Sequence, residues 1–426
     1  MKFQSFIFGL FCFLFFQSVL GFTANAQSKI TSLPGLSSPP THQYSGYVGA
    51  KDAKLFYWLM AEHSPNKPLI LWSNGGPAYT SLFGLFYEVG PYKIMPDLTL
   101  ESRKHSWNKF ANLLVIDHPA NAGLSKLKSN HTAQSRAEAI DQYYQALARF
   151  LKAYPQYQSS PIYLAGESYA GTTLPLLAQK IESSNLSKGQ KINLKGLILI
   201  SPWSDPKVQQ SMDSQYAYSH GLISSTQKKK VDRLYQTCKK LLEDKAYLKA
   251  NSACGKVSSK ISKLSGLTLT NITFQDRDYD GKYLAKYLNQ PKVKKALHAE
   301  NAGRFENYSS EAGNAFTPDI QKAVLPELNN LLKSSIPIMI ISGLSDGKDT
   351  NFLGVGKMIE QLKWSERQGY LKSLPRAERV DGKVIGYIKS GGGLSWFTIL
   401  NAGHPAPQDQ PLIYSAVKSF VFSVNK

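Results

Sequence analysis

The chain has 426 residues and carries 50 lysines and arginines against 30 aspartates and glutamates, a net charge of +20 at pH 7. This length favours two or three domains, or one large α/β domain with an insertion, and it allows a sizeable core without a disulfide framework. The positive charge alone does not indicate nucleic-acid binding, because no basic-aromatic module of a known kind occurs.

The first residues predict an export signal. Lys2 precedes an uncharged apolar run at 6–22, and an Ala-Asn-Ala sequence ending at Ala26 gives the small-x-small pattern that signal peptidase cuts. We expect residues 1–26 to be removed and the mature protein to be secreted, periplasmic or lumenal, a vacuolar or lysosomal compartment included. An uncleaved anchor is the alternative, but the run is short for a span and contains Gln17. We expect no stable membrane insertion after cleavage, since no later segment is long and apolar enough.

Short apolar runs then alternate with helical periods, a pattern typical of a mostly parallel sheet covered on both faces. Helices are predicted at 137–154, 174–181 and 412–422. Strands are predicted at 69–72, 113–116, 161–165, 197–200, 338–341 and 396–400. The strand rhythm stops between 205 and 316, where Lys and Ser are frequent and 231–242 reads as helical. We therefore predict an α/β catalytic core at 27–204 and 317–426, interrupted by a mainly helical cap at 205–316.

Two features depend on the compartment. Cys12 leaves with the signal, and an even count in an exported chain predicts one disulfide between Cys238 and Cys254, closing a short loop. Glycosylation depends on the host, and its acceptor motifs begin at Asn130, Asn185, Asn271 and Asn307. We expect no metal, because no His/Cys cluster has ligand spacing, and no organic cofactor is implied.

The sequence Gly166-Glu167-Ser168-Tyr169-Ala170 carries the first chemical signature. It follows a predicted strand and precedes a helical period, the arrangement G-x-S-x-small of a nucleophile elbow. The turn of such an elbow is tight, so the flanking residues must be small. Ser168 is therefore the predicted nucleophile.

The acid and the base of such a site follow in the order Ser, Asp, His, each on a loop after a strand. Asp346 follows the strand at 338–341, and His404 follows the strand at 396–400. No other histidine lies downstream of Asp346. Asp349 is a rival for the acid, and His118 is interpreted as a loop or core histidine.

Further motifs surround these residues. The chain has Trp-Ser-Asn-Gly-Gly-Pro at 72–77, Gly-Leu-Phe-Tyr-Glu-Val-Gly-Pro at 84–91 and Ala-Gly-His at 402–404. Other matching blocks lie at 44–47, 55–58, 106–108, 122–125, 287–289 and 293–297. In this order the blocks resemble the serine carboxypeptidase family over nearly the whole mature chain. The resemblance implies an α/β-hydrolase fold with an inserted cap, and release of C-terminal residues from peptides that have a free C-terminus.

The resemblance also implies roles for the matching positions in the chemistry. Ser168 would attack the scissile carbonyl, His404 would act as general base and then general acid, and Asp346 would orient the imidazole. The backbone N–H groups of Gly76 and Tyr169 would form the oxyanion hole.

Binding of the substrate's C-terminal carboxylate is implied for a second set of positions: Asn74, the Gly75 amide and Glu167, with Glu88 beside Glu167 and Trp72 behind them. A carboxylate that meets two glutamates requires shared protons, so we expect activity to favour acidic pH. The pocket for the leaving residue would be lined by Phe83, Tyr87 and Pro405.

The chain departs from the family pattern in three places. Tyr79 stands where the family has a cysteine tied to the insertion, so we expect that disulfide to be absent and the cap to move more freely. Pro405 and Ala406 replace the usual pair after His404, so side-chain preference does not transfer. The run from Asp346 to Asn351 is one residue longer than usual, so Asp349 remains an alternative for the acid of the triad.

Three functions are compatible with the sequence. The first is a serine carboxypeptidase, the second an esterase or acyltransferase that uses the same triad, and the third a catalytically silent binding protein. Asn74 and Glu167 favour the peptidase, and the complete Ser/His/Asp set argues against the silent protein. The basic runs at 228–230 and 292–295 are interpreted as solvated faces, with attraction to anionic surfaces or acidic substrates as the alternative. The oligomeric state is not predicted.

Overall fold

The computed structural model describes residues 28–38, 42–62, 64–128, 132–187, 190–275, 279 and 281–423. The predicted signal peptide at 1–26 and the glycosylation motif at Asn130 lie outside these residues. Within the described part of the chain, no helix has the length and apolar character needed to span a membrane.

The strands alternate with helices along the chain, as predicted. The strands are β1 (Gln43–Ala50), β2 (Ala53–Met60), β3 (Leu69–Ser73), β4 (Tyr92–Ile94), β5 (Leu100–Ser102), β6 (Asn112–Ile116), β7 (Lys126–Leu127), β8 (Ile162–Glu167), β9 (Leu194–Ile200), β10 (Ile338–Gly343), β11 (Arg376–Val380), β12 (Lys383–Gly391) and β13 (Leu394–Ile399).

The helices cover both faces of the sheet and fill the insertion. They are α1 (Leu82–Tyr87), α2 (Arg136–Ala153), α3 (Ala170–Asn185), α4 (Pro206–Gln210), α5 (Asp213–Ser219), α6 (Ser225–Glu243), α7 (Tyr247–Ser265), α8 (Lys282–Leu288), α9 (Pro291–Ala296), α10 (Ser310–Ala315), α11 (Leu325–Lys333), α12 (Phe352–Ile359), α13 (Arg367–Lys372), α14 (Ala406–Asp409) and α15 (Ile413–Ser423). Short 3-10 turns lie at Trp107–Lys109 and Pro155–Tyr157.

One large sheet organises the molecule, in the strand order β1-β2-β6-β3-β8-β9-β10-β13-β12-β11, with β7 paired to β2. The six strands from β6 to β13 in this order pair in parallel, and the outer pairs at both ends are antiparallel. The predicted α/β-hydrolase class, with a mostly parallel central sheet, is confirmed. Parallel strands place all their carboxyl ends at one edge, and that edge carries the candidate site.

The central strands are buried on both faces, which explains their continuous apolar sequences. In β10, Ile338 and Ile340 point into one core, while Met339 and Ile341 point into the other. The first core is covered by α2, α3 and α11, and the second by α15. Side chains alternate between the faces because the strand period is two residues, so both cores share the same strands.

The segment between β9 and β10 is helical in its described residues. Residues from Ala217 to Leu269 form a separate small core, and the predicted disulfide between Cys238 and Cys254 joins α6 to α7 within it. By contrast, Leu284, Tyr287 and Val293 of α8 and α9 pack into the core beneath the sheet. The boundaries of the cap at 205 and 316 stay a prediction. Within the insertion, one part forms its own small core and another part packs into the main core.

The far end of the sheet is a hairpin that the sequence did not predict. β12 pairs with β13 and β11, and β11 is the outermost strand. Its residues Arg376, Glu378 and Arg379 are charged, and the pairing register shifts between the last two.

Candidate active site

Ser168 occupies a sharp turn between a buried strand and a helix. All six residues of β8 are buried, and α3 begins two residues after Ser168. The backbone φ angle of Ser168 is +59°, in the left-handed region that a non-glycine residue rarely adopts. Its N–H donates to Ile200 O at 3.0 Å, and the Trp203 N–H donates to Ser168 O at 2.8 Å. The neighbouring strand β9 and its following loop therefore hold the strained turn in place, as is common at functional sites.

His404 contacts Asp346 and a threonine. The ring Nδ1 lies 3.0 Å from Asp346 Oδ2 and 2.9 Å from Thr350 Oγ1. The Thr350 hydroxyl donates to Asp346 Oδ2 at 2.9 Å, so its oxygen is left to accept the proton on Nδ1. This arrangement fixes the imidazole with Nδ1 protonated and leaves Nε2 available as a base.

Asp346 is completely buried at the end of β10. Burial alone would raise its pKa, but the charge and hydrogen bond of His404 and the hydrogen bond from the Lys348 N–H together hold the pKa below its ordinary value. Asp346 therefore stays ionised beside the imidazole over the working pH range of a hydrolase. The rival Asp349 lies near Asp213 and Asp346, and burial raises its pKa.

A cavity of about 250 Å3 opens over the elbow. Ser168, His404, Gly75, Gly76 and Glu167 all line it, so the structure brings these predicted residues to one place.

The loop after β3 approaches the elbow closely. A Cβ atom on Gly75 would lie only 2.4 Å from the Tyr169 backbone nitrogen, so no other residue fits there. Gly76 has a φ angle of +112°, which favours glycine. Among the described residues, neither the Gly76 N–H nor the Tyr169 N–H donates to a backbone carbonyl. Both amides are therefore free to meet an oxyanion beside Ser168.

Asn74 connects the two predicted glutamates. Its Nδ2 donates to Glu88 Oε1 at 3.1 Å and to Glu167 Oε1 at 3.0 Å. Its Oδ1 accepts from Trp72 Nε1 at 2.9 Å and from the Gly84 N–H at 2.8 Å, which fixes the orientation of the amide. The second oxygen of each glutamate is buried and takes no hydrogen bond from any other described group. Only a proton shared between the carboxyls, or a bound molecule, can satisfy these atoms.

The glutamate pair holds protons more tightly than exposed glutamates do. Burial, and then the charge of Glu167, raises the pKa of Glu88 well above its ordinary value. Burial also raises the pKa of Glu167, although the positive charge of His404 and hydrogen bonds from Glu88 and Asn74 offset part of the rise. The pair therefore keeps at least one proton to higher pH than exposed glutamates do.

Three aromatic rings line up beside the cavity. Phe83 stacks on Tyr87 with ring centroids 4.8 Å apart, and Tyr79 meets the edge of Phe83 at 5.5 Å. Phe83, Tyr79 and Pro405 line the cavity over Ser168, whereas Tyr87 lines a neighbouring cavity of about 560 Å3. Of the predicted pocket residues, the structure brings Phe83 and Pro405 to the elbow and sets Tyr87 one layer behind.

The family profile described as "Serine carboxypeptidase" matches residues 34–423. The chain belongs to the serine carboxypeptidase family. This carboxypeptidase is accordingly a serine-type hydrolase, as predicted. It is 31% identical over 399 residues to serine carboxypeptidase S10 family member 1 of Dictyostelium discoideum, which covers 90% of this chain and 95% of the relative.

Other relatives agree. The carboxypeptidase is 29% identical over 408 residues to serine carboxypeptidase-like 47 of Arabidopsis thaliana, covering 92% of this chain and 80% of that one. It superimposes on the crystal structure of Kex1(Δ)p, a prohormone-processing carboxypeptidase from Saccharomyces cerevisiae, with a TM-score of 0.80 and 22% identity over 93% and 94% of the two chains. At that identity, the likeness shows the fold alone.

Tyr79 of this carboxypeptidase lies where the loop after β3 meets the insertion. It pairs with Tyr308 of the insertion in an isolated β-bridge, and backbone hydrogen bonds on either side join Thr80 to Asn307 and Ser309 to Ala78. The expectation of a freer cap stays a prediction. These backbone hydrogen bonds are one restraint on the insertion at this point.

Two further residues support the carboxypeptidase site and were missed in the sequence. Asp117 is buried and accepts from Thr80 Oγ1 and the Ser81 N–H at 2.8 Å each, and burial raises its pKa to about 6. It anchors the loop that carries Gly76. Thr350 is the second. The only hint of it in the sequence was that the run from Asp346 to Asn351 is one residue longer than usual in the family. His118 is a core histidine, stacked on Tyr143 at 4.3 Å.

Proposed function

We propose that this carboxypeptidase is an exported enzyme that removes C-terminal residues from peptides through a Ser168-His404-Asp346 acyl-enzyme mechanism, and that it works best at acidic pH. The observation that carries the proposal is the pair of buried glutamates held by Asn74 beside the elbow. An exopeptidase needs a place for the substrate's terminal carboxylate, and protonated carboxyls supply donors for one.

The first half of the reaction makes the acyl-enzyme. Ser168 Oγ attacks the scissile carbonyl while its proton passes to His404 Nε2, and the oxyanion is met by the amides of Gly76 and Tyr169. Asp346 and Thr350 stabilise the imidazolium that forms. The proton then moves from His404 to the leaving amine, the C–N bond breaks, and the C-terminal amino acid departs.

The second half releases the shortened peptide. A water molecule gives a proton to His404 and attacks the acyl carbonyl, and collapse of the tetrahedral intermediate returns the proton to Ser168. The same geometry serves both halves, because microscopic reversal of the first step uses the same acid and base.

The two glutamates determine whether substrate affinity rises or falls with pH. While Glu167 and Glu88 are protonated, they donate to the substrate carboxylate. As pH rises through their raised pKa values, the pair loses its protons, and negative charge on Glu167, which lines the cavity, repels that carboxylate. Substrate affinity should therefore be highest at acidic pH and fall toward neutral pH.

Export is supported by the apolar run and the Ala-Asn-Ala sequence before residue 27. The disulfide between Cys238 and Cys254 is also of a kind that persists in oxidising compartments.

The test is release of the C-terminal amino acid from a panel of blocked dipeptides between pH 4 and 8, with Ser168→Ala as the control. Release that is strongest at the acidic end and lost in the variant supports the proposal. If no residue is released although a fluorophosphonate still labels Ser168, the triad serves ester hydrolysis or acyl transfer and the proposal fails.

A further inference from the structure

A second cavity lies beside the one over the elbow. It has a volume of about 520 Å3, and Thr270 and Lys348 line both cavities. Its floor is one side of α7, from which Ser259, Ser262 and Lys263 face the space. This second cavity, here called the α7 groove, adjoins the cavity over Ser168 at Thr270 and Lys348.

The α7 groove is polar and positively charged. Helix α7 carries four lysines and no acidic residue. Among the described residues, no ion pair engages these lysines or Lys348. Among the described residues that line the groove, the one acid is Asp349, whose pKa burial raises, with the charge of Lys348 offsetting part of the rise. The serine hydroxyls add neutral donors beside the positive charges of Lys263 and Lys348.

The direction of a bound peptide follows from the first cavity. The leaving residue and its carboxylate are assigned to Asn74, Glu167 and Phe83, so the residues before the scissile bond must leave Ser168 by another route. The α7 groove provides such a route, since it begins at Thr270 and Lys348 in the wall of the same cavity.

We propose that the α7 groove binds the substrate residues that precede the scissile bond and selects peptides with aspartate or glutamate there. This inference rests on the proposed carboxypeptidase function. Lys348 and Lys263 supply the charge that recognises the acidic side chains. Solvent screens both lysines, so each contributes a modest factor, about twofold, and the pair gives about a fourfold preference.

The experiment uses blocked pentapeptides that end in the same two residues and differ only at the preceding positions, which hold Glu, Gln or Lys. The quantity measured is kcat/KM at low and high salt. We expect the order Glu, Gln, Lys, a Glu-to-Gln ratio of about four at low salt, and a ratio near one at high salt, because salt screens exposed charges.

Variants locate the effect. Lys263→Gln and Lys348→Gln should each lower the Glu-to-Gln ratio about twofold, and the double variant should remove it. Lys383→Gln removes the same charge from the exposed start of β12 and should leave the ratio as in the wild type. A wild-type ratio of one, or a ratio that survives the double variant, would overturn the inference. If the Gln peptide itself is not cleaved, the proposed function fails instead.

Discussion

Replacing Glu167 by glutamine should remove most of the pH dependence of substrate binding. Glutamine has nearly the same shape, and its Oε1 can still accept from Asn74 Nδ2, so the network stays closed. What disappears is the ionisable carboxyl that lines the cavity over Ser168. Glu88 remains, but its burial keeps its pKa well above the ordinary value.

Two free-energy costs compete when the substrate binds the wild type: repulsion of its carboxylate by an ionised Glu167, and protonation of Glu167. A bound carboxylate about 4 Å from an ionised Glu167 would be repelled by about 4 kcal/mol at an effective dielectric constant of about 20. Taking up a proton instead costs about 1.4 kcal/mol for each pH unit above the pKa. Proton uptake is the cheaper route near neutral pH, so the wild-type Kd should rise about tenfold per pH unit above the pKa of Glu167.

The assay is calorimetric titration of a blocked dipeptide into the Ser168→Ala protein between pH 5 and 8. The wild-type site should take up about one proton on binding near neutral pH, whereas Glu167→Gln should take up almost none and show a nearly flat Kd. The same dipeptide with a C-terminal amide is the control, because it carries no charge to repel. An equal slope in both proteins, or binding without proton uptake, would refute the reasoning.

Three further changes test other parts of the structure. Thr350→Val should lower kcat about tenfold through loss of a hydrogen bond to a charged group, and Thr350→Ser should restore most of it; equal rates for both variants would contradict this role. Asp213 is buried and its pKa is raised, so the folded protein is more stable while Asp213 is protonated and loses that stability as pH rises. Asp213→Asn should therefore raise the melting temperature more at pH 8 than at pH 4.5. Replacing Cys238 and Cys254 together by serine should cost about 3 kcal/mol of unfolding free energy in urea titrations, since the closed loop spans 16 residues; an unchanged midpoint would show that the loop is already ordered without the bond.

The central strands could be predicted to within about three residues because they are buried on both faces. The predicted 338–341 and 113–116 correspond to Ile338–Gly343 and Asn112–Ile116. Such strands read as continuous apolar runs, which no surface element imitates. The hairpin of β11 and β12 could not be predicted, since one of its faces meets solvent and its sequence is dominated by charged residues and glycine.

The sequence also did not show that one part of the insertion forms its own core while another part packs into the main core. The apolar face of α8, with Leu284 and Tyr287, shows that the helix must be covered, but not that the main core covers it. Packing partners at long sequence separation leave no local pattern.

The residues of the candidate site could also be predicted only in part. Ser168, Asp346 and His404 sit at strand ends, where the order of elements alone predicts them. Thr350 could not be predicted, because a threonine hydroxyl acquires meaning only once the loop brings it to His404. Tyr87 was placed in the leaving-residue pocket, yet its spacing of four residues from Phe83 on α1 stacks the two rings and leaves only Phe83 at the elbow.

The charged outer strand β11 bears on how the protein behaves at high concentration. An open sheet edge offers unpaired N–H and C=O groups to strands of other molecules and so invites aggregation. Here an incoming strand would meet Arg376, Glu378 and Arg379, and the register shift between the last two interrupts any regular ladder. At the opposite end, Lys29 already bridges β1 at Tyr44. The charges and the register shift at one edge, and the Lys29 bridge at the other, thus disfavour strand-to-strand polymerisation of the protein at high concentration.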